Sequence, residues 1–149
     1  MRLWRIAHAR YEALDGEGAR RWGGRWNSPG RLVVDTSTTA SLAMLEKLVW
    51  IDPDDVPENL RLFEIELPDE LERERLDRAR LPKDWKDAGC PACTEIGDEW
   101  LASASSLALV VPSALLDEEL NVLINPRHDQ ARRTRVVGSR PFTFDPRLV

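Results

Sequence analysis

The sequence lacks two features that would place it at a membrane. No apolar run approaches the ~20 residues that a spanning helix requires, although hydrophobic residues make up 42% of the chain. The start, Met1-Arg2-Leu3-Trp4-Arg5-Ile6, has neither the long apolar segment nor the small-residue cleavage site of a signal peptide. We therefore expect a soluble, cytoplasmic protein with no membrane contact, whose first residues form a strand of the domain itself.

An excess of positive charge is also missing. The formal net charge is −5 at pH 7, and the acidic excess is concentrated between Asp52 and Asp87. The phosphate backbone of a nucleic acid selects strongly basic surfaces. The charge balance therefore predicts that this chain does not bind DNA directly.

Metal-ligating side chains are scarce, because the chain has two cysteines and two histidines. The cysteines form Cys90-Pro91-Ala92-Cys93, a spacing shared by redox sites and by half of a zinc site, and His8 and His128 would complete four ligands. The histidines have no paired spacing of their own. The sequence therefore favours two reduced thiols in a loop ahead of a helix over the zinc alternative, and no metal is expected.

The length of 149 residues fits one domain, assigned to residues 1–149. Apolar periodicity and Pro or Gly boundaries predict strands over 3–7, 31–36, 60–67, 107–111, 120–124 and 134–137, and a last edge segment over 141–146. One helix is predicted from a cap within 36–38 to a point before Pro53, and another over 94–104. The charge-rich stretch 69–92 is predicted as loop with short helical turns. Together these elements predict a single mixed-sheet α+β domain.

The densest motif runs from Gly16 to Gly30 and packs five glycines, three arginines and two tryptophans into fifteen residues. Glycine permits close backbone approach, arginine forks bind phosphate, and indole rings stack on flat heterocycles. One interpretation is a nucleotide surface, with arginines on a pyrophosphate and Trp22 or Trp26 on a base. The alternative is a glycine-permitted turn in which Arg25 and Asn27 only satisfy backbone carbonyls. Spacing alone does not decide between the two.

Glu46 is the second informative residue, because it falls among apolar residues of a predicted helix, where an unpaired carboxylate is costly. Arg5 lies between Trp4 and Ile6 on a predicted strand, and a pair with Glu46 would satisfy both charges. Such a pair is either a structural salt bridge or part of a cleft. Ser113 follows a buried strand, where strand ends often line clefts. Without a neighbouring histidine, this serine is a poor candidate nucleophile.

These residues carry a resemblance to the RES domain family, named for an arginine, a glutamate and a serine, that extends from Leu3 to Leu148. The matching motifs are Trp4-Arg5-Ile6, Gly16-Glu17-Gly18-Ala19-Arg20, Gly23-Gly24-Arg25-Trp26-Asn27-Ser28-Pro29-Gly30, Leu45-Glu46-Lys47-Leu48-Val49, Val111-Pro112-Ser113-Ala114, Asn125-Pro126-Arg127-His128 and Phe144-Asp145-Pro146-Arg147-Leu148. Their order over the whole length makes the resemblance specific.

The resemblance implies a fold similar to that of ADP-ribosyltransferases, with helices flanking a split β core. It implies the toxin of a bacterial type II toxin–antitoxin pair that cleaves the nicotinamide–ribose bond of NAD by hydrolysis or phosphorolysis, with ADP-ribosyl transfer to a protein as the alternative. NAD is then a substrate, and neither cofactor nor metal is required. The implied partner is an Xre-type helix-turn-helix antitoxin that covers the NAD cleft, and a homodimer within that complex is a further expectation.

Residue by residue, the resemblance implies catalytic roles for Arg5, Glu46 and Ser113, and contacts to the dinucleotide from Arg25, Trp26, Asn27 and Asp35. Asp35 departs from the family, whose members usually carry a tyrosine there that looks like the ring stacking on nicotinamide. A carboxylate there either attracts the cationic ring or disrupts the pocket. A catalytically impaired module that only binds NAD and antitoxin is therefore a further alternative. Trp50 likewise replaces the family's histidine.

Overall fold

The computed structural model describes all residues from 1 to 149. Its strands, in chain order, are β1 (Arg2–His8), β2 (Val34–Ser37), β3 (Leu60–Glu66), β4 (Arg73–Arg75), β5 (Ala108–Pro112), β6 (Leu120–Ile124) and β7 (Arg135–Pro141). Its α-helices are α1 (Glu17–Trp22), α2 (Ala40–Leu48) and α3 (Pro91–Ser103), with short 3₁₀ turns at Ala9–Tyr11, Arg78–Arg80 and Ala131–Arg133. None of the helices is long and apolar enough to cross a membrane.

All seven strands join one sheet in the order β4-β5-β6-β2-β1-β3-β7. Only β4 and β5 run parallel, and the other neighbours are antiparallel. β1 pairs with β3 along its whole length and β2 pairs fully with β6, but β1 and β2 meet at a single position, where Trp4 lies opposite Ser37. The sheet is therefore divided into two halves at this boundary, and the α+β class and mixed sheet expected from the sequence are confirmed.

The alternation of side chains along the strands places α2 and α3 over the same face of the sheet, one on each half. α2 packs on Ile6 of β1 and Leu62 of β3, whereas α3 packs on Leu109 of β5 and Leu123 of β6. Asp35 lies opposite Leu123 in the register and is therefore on this face, beside the boundary between the halves. The two helices thus stand on either side of the place where β1 and β2 separate.

The predicted boundaries of β1, β3, β5 and β6 agree with the structure to within one residue. α3 begins earlier than expected, at Pro91, because Cys90 caps it: Cys90 Sγ accepts a hydrogen bond from the Cys93 N–H at 3.2 Å. Proline suits the first turn of a helix, where its missing N–H is not needed. β4 was not predicted, because three consecutive charged residues show no apolar alternation.

Four further expectations are corrected. β2 begins at Val34, three residues late, and the cap of α2 is Thr39, whose Oγ1 accepts from the Leu42 N–H at 3.1 Å. The glycine-rich segment, expected only to join two strands, contains α1. β7 runs on to Pro141, and the separate edge segment expected over 141–146 is not a strand; its Phe144 instead packs into the core beneath α2.

Candidate active site

Glu46, on α2, is held by two donors from the strands beneath it. Ser113 Oγ donates to Glu46 Oε1 at 2.8 Å, and Asn121 Nδ2 donates to the same oxygen at 2.6 Å. Ser113 follows β5 directly and is completely buried, and Asn121 belongs to β6. Because both hydrogen bonds end on Oε1, the second oxygen, Oε2, has no protein donor. The carboxylate is thus oriented by its surroundings and keeps one oxygen for another partner.

The Ser113 hydroxyl is itself fixed by a turn. Its oxygen accepts from the N–H groups of Leu115 at 3.1 Å and Leu116 at 3.3 Å, and the Ser113 N–H donates to the carbonyl of Glu119 at 3.0 Å. With its lone pairs facing two backbone donors, the hydroxyl directs its proton toward Glu46. This geometry suits a serine that orients a carboxylate rather than one that attacks a substrate.

The ion pair expected between Arg5 and Glu46 is not formed, because Glu46 is held by neutral donors and Arg5 makes no salt bridge. Arg5 Nη1 is buried and has no hydrogen-bond partner. A side-chain Cβ at Gly18 would lie 3.4 Å from Arg5 Nη2, so this glycine leaves room for the guanidinium. Burial lowers the pKa of Arg5, and the charges of Asp35 and Asp15 oppose that shift. A buried cationic nitrogen without a partner is costly and indicates a site for an anionic ligand.

Asp35, on β2, is electrostatically coupled to both Arg5 and Glu46. Desolvation by the surrounding protein raises the pKa of its carboxyl to about 6, while Arg5 acts to lower it and Glu46 adds to the rise. The residue nevertheless keeps much of its surface open to solvent. The charges of Arg5 and Glu46 therefore both act on Asp35. We call the place where β1 and β2 separate the cleft: Asp35 and Glu46 lie on its helix face, and strand alternation directs Arg5, opposite Phe63, to the other face of the sheet.

The glycine-rich segment is, by contrast, built into the scaffold. Arg25 donates from Nη1 and Nη2 to the backbone carbonyls of residues 85–87. Asn27 Nδ2 lies within hydrogen-bond distance of three nearby backbone carbonyls, the nearest being that of Ala19 at 3.2 Å. Trp26 is buried against Trp85, with ring centroids 6.2 Å apart. The Arg25 guanidinium, the Asn27 Nδ2 and the Trp26 ring are thus engaged within the scaffold, whereas Asn27 Oδ1 is buried without a partner. The dinucleotide contacts that the resemblance implies for these three residues stay predictions.

The segment is anchored on α3 by close backbone contact. The Ser28 N–H donates to Asp98 Oδ1 at 3.0 Å, and Thr94 Oγ1 donates to the Arg25 carbonyl at 3.1 Å. A Cβ added to Gly97 would lie 1.7 Å from the Trp26 carbonyl oxygen, so only glycine permits this approach. Trp22, the other tryptophan of the motif, is 79% exposed at the end of α1 and contacts no partner ring.

The geometry does not support the zinc alternative. Cys90 Sγ accepts from the Cys93 N–H at 3.2 Å, His8 Nδ1 from the Arg10 N–H at 3.1 Å, and His128 Nδ1 from the Gln130 N–H at 3.2 Å, so each of these three side chains binds the backbone of its own segment. No group of three or more His, Cys, Asp or Glu side chains is arranged to hold a metal ion. Burial, followed by a hydrogen bond with Cys90, raises the pKa of the Cys93 thiol to about 12. Both cysteines are free, but the loop expected ahead of the helix is corrected, because α3 begins at Pro91 and Cys93 lies within it.

Asn121 and Ser37 are the site residues that sequence reasoning missed. Ser37 Oγ donates to Asn121 Oδ1 at 2.7 Å, and the two residues lie opposite each other in the pairing of β2 with β6. One signal was available: Asn121 is a polar residue inside an otherwise apolar strand, Leu120-Asn121-Val122-Leu123-Ile124. A buried amide requires partners, but the sequence does not say which ones.

The structure is a single α+β domain whose sheet divides at a cleft bordered by charged side chains. The RES domain model matches residues 2–145, so the chain belongs to the RES domain family. The protein is 42% identical over 153 residues to the Toxin Res of Yersinia enterocolitica, covering 99% of each chain. It is 39% identical over 155 residues to the Prs ADP-ribosylating toxin of a Sphingobium species, covering 99% of this chain and 96% of that one. This similarity over the full length places the chain in the toxin class of the family.

A solved structure shares the fold. The crystal structure of the M. tuberculosis MbcT–MbcA toxin–antitoxin complex contains a chain that superposes with a TM-score of 0.77, covering 99% of this chain and 85% of that chain. The two sequences are 23% identical, so the similarity establishes a common architecture and leaves the chemistry to the residues of the cleft.

Proposed function

We propose that this protein is the toxin of a toxin–antitoxin pair and that it cleaves NAD at the nicotinamide–ribose bond. Two observations carry the proposal together: the unpartnered, buried Nη1 of Arg5 on one face of the cleft, and the oriented carboxylate of Glu46 on the other. A dinucleotide has the complementary groups, with an anionic diphosphate for the guanidinium and ribose hydroxyls for a carboxylate oxygen. NAD is the substrate, and the proposed reaction requires no metal.

The proposed reaction breaks the bond between ribose C1′ and the nicotinamide nitrogen. Nicotinamide leaves as a neutral molecule with the bonding electron pair, and the positive charge moves onto the ribose as an oxocarbenium ion. A water molecule or a phosphate then adds to C1′, and a proton is released to solvent when water is the acceptor. Glu46 Oε2, which has no protein donor, stabilises this cation or binds a ribose hydroxyl, while Arg5 holds the anionic part of the substrate. Ser113 keeps Glu46 in position.

ADP-ribosyl transfer to a protein is the second candidate, and it shares the first bond-breaking step. It is favoured by the 39% identity to a relative named an ADP-ribosylating toxin. In that case a side chain of the target protein, rather than water or phosphate, attacks C1′. The same Arg5 and Glu46 serve both reactions, so the acceptor distinguishes them.

The partner we propose is a helix-turn-helix antitoxin of the Xre type that covers this cleft. Exposed apolar side chains adjoin Glu46 and Ser113: Val49 and Trp50 directly after α2, and Leu115 and Leu116 in the turn that binds the Ser113 hydroxyl. Trp50 is 74% exposed. Apolar side chains grouped beside a site are typical of surfaces that a partner buries.

The test is incubation of the purified chain with NAD labelled in the adenine ring, followed by chromatography for free nicotinamide and by gel analysis for labelled protein. We expect nicotinamide release, with label in ADP-ribose or its 1-phosphate. Label that enters a polypeptide would favour the transferase. No release by the natural chain, with release by Asp35→Tyr, would identify an impaired module. The proposal would be overturned if neither the natural chain nor Asp35→Tyr released nicotinamide, either in buffer or in a cell extract that contains no antitoxin.

A further inference from the structure

Glu46 is oriented by a relay of two side chains that begins on β2. Ser37 Oγ donates to Asn121 Oδ1 at 2.7 Å, and Asn121 Nδ2 donates to Glu46 Oε1 at 2.6 Å. Ser37 is 3% exposed and lies opposite Asn121 in the strand pairing, so the two side chains are neighbours by register as well as by contact. The relay connects the central strand of the sheet to the helix that carries the carboxylate.

The direction of each hydrogen bond is set by chemistry. An ionised carboxylate only accepts hydrogen bonds, so the Asn121 amide must present its NH₂ group to Glu46. Its carbonyl oxygen then faces Ser37, whose hydroxyl is the donor that this oxygen accepts from. If the amide turned over, its oxygen would face the Glu46 carboxylate, and two acceptors would repel each other. The Glu46 carboxylate therefore selects which way the amide faces, and the Ser37 hydroxyl, by donating to the amide oxygen, holds the amide in that place.

We propose that Ser37, acting through Asn121, is a positioning residue for Glu46 in the cleavage of NAD; this inference rests on the function proposed above. Ser37 does not touch the substrate. It fixes the amide so that Asn121 and Ser113 both bind Oε1, which leaves Oε2 directed to the cleft. Loss of the Ser37 hydroxyl should lower kcat more than it changes KM, because the carboxylate becomes mobile while the diphosphate contact at Arg5 remains.

A matched control lies one residue away on the same strand. Thr36 Oγ1 donates to the backbone carbonyl of Val122 at 2.6 Å and is 3% exposed, so it is a buried hydroxyl bonded to β6 in the same way as Ser37 but not to Asn121. Thr36→Val removes one buried hydroxyl from β2 without disturbing the relay. Any effect of Ser37→Ala that also appears in Thr36→Val is therefore structural.

The experiment is a double-mutant cycle of Ser37→Ala and Asn121→Ala, with kcat and KM for nicotinamide release and with Thr36→Val and Ser37→Thr measured alongside. We expect Ser37→Ala to lower kcat by about 3- to 10-fold, the equivalent of one neutral hydrogen bond. It should have no further effect in the Asn121→Ala background, because Ser37 acts only through the amide. Ser37→Thr should restore kcat, and Thr36→Val should leave it unchanged. An equal loss in both backgrounds, or no loss in either, would overturn the inference.

A second readout separates this inference from the proposed function. In the ¹⁵N-labelled chain, the side-chain NH₂ resonances of Asn121 should shift or broaden in Ser37→Ala and stay in place in Thr36→Val. If the chain releases no nicotinamide, the function proposed above fails, and these resonances still show whether Ser37 orients the amide. Unchanged Asn121 resonances in Ser37→Ala would contradict the relay whatever the activity.

Discussion

Arg5 and Arg25 were both expected to act on NAD, Arg5 in catalysis and Arg25 in binding the dinucleotide, yet the fold uses them in opposite ways. Arg25 donates to the carbonyls of three consecutive residues and carries its cation near the ring of Trp85. Arg5 has a buried nitrogen with no partner, and the charge of Asp35 acts on it. A guanidinium that donates its N–H groups to backbone carbonyls stabilises the fold. A guanidinium with a free N–H donor can bind a ligand.

The same contrast extends to the regions around the two arginines. The glycine-rich segment with Arg25 is anchored to α3 and forms the scaffold. Arg5 and Glu46 border the cleft where β1 and β2 separate. Arg5 Nη1 and Glu46 Oε2 each lack a hydrogen-bond partner in the protein. Substitutions in the first region should change stability, and substitutions in the second should change activity.

The largest effect is expected at Glu46. Glu46→Gln keeps the side-chain shape and one acceptor oxygen but removes the charge that stabilises the developing cation. We expect the rate of nicotinamide release to fall by about 10²- to 10⁴-fold, in the range of a lost catalytic acid, base or electrostatic group. The thermal midpoint should change little, which circular dichroism would check. Turnover equal to that of the natural chain would remove Glu46 from the mechanism.

Within the scaffold, the largest loss of stability is expected from a substitution at Gly97. Gly97→Ala places a Cβ 1.7 Å from the Trp26 carbonyl oxygen, so the glycine-rich segment must move off α3. We expect the free energy of unfolding in urea to fall by about 3 kcal/mol. Gly138→Ala is the control, because its Cβ would meet at 3.1 Å the end of the flexible Glu64 side chain, which can move. Equal stability of the Gly97→Ala variant and the natural chain would refute the close packing.

Exchange of each arginine for methionine tests the comparison itself. Arg25→Met leaves backbone carbonyls of residues 85–87 without their donors, and the free energy of unfolding should fall by about 1–3 kcal/mol. Arg5→Met removes a buried charge without a partner, so stability should be equal or higher. Urea titrations of both variants give the answer. A large loss of stability in Arg5→Met alone would reverse the assignment.

The smallest effect is a pH dependence at Asp35. Desolvation raises the pKa of its carboxyl from 3.8 to about 6 in the folded protein, so the folded state keeps this proton longer than the unfolded chain does. The Asp35 contribution to stability is therefore greatest below about pH 4 and is lost as the pH rises to 6. The free energy of unfolding of Asp35→Asn, minus that of the natural chain, should rise between about pH 4 and pH 6 and stay constant above pH 6. A difference that does not change with pH would contradict the raised pKa.

Much of the fold could be predicted because it depends on local patterns. Apolar alternation located β1, β3, β5 and β6, and helical spacing located α2 with Glu46 on it. The charged strand β4 has no such pattern, since it is stabilised by parallel pairing with β5 rather than by an apolar face of its own. The short helix α1 was hidden by glycines that disfavour helices in isolation.

The site was predictable only in part, because its contacts span the chain. The family resemblance named Glu46 and Ser113 as catalytic residues, and the structure places the two side chains in contact. Their catalytic roles stay predictions. The partners of Arg25 lie about sixty residues further along the chain, and Ser37 reaches Asn121 across 84 positions. Periodicity and motif spacing carry no information about such pairs. The sequence therefore identified Arg5 and Arg25 as important, but it could not predict which of the two donates to backbone carbonyls within the fold.

Calorimetric titration of NAD tests the contrast between the two arginines most directly. Arg5→Met and Arg25→Met would each be measured in the Glu46→Gln background, where the substrate is not consumed, and at a temperature where both variants are folded. We predict that Arg5→Met weakens NAD binding by about 10-fold or more, the equivalent of a lost charge-assisted hydrogen bond. Arg25→Met should bind NAD as Glu46→Gln alone does. Weakened binding in Arg25→Met, with full affinity in Arg5→Met, would contradict the account.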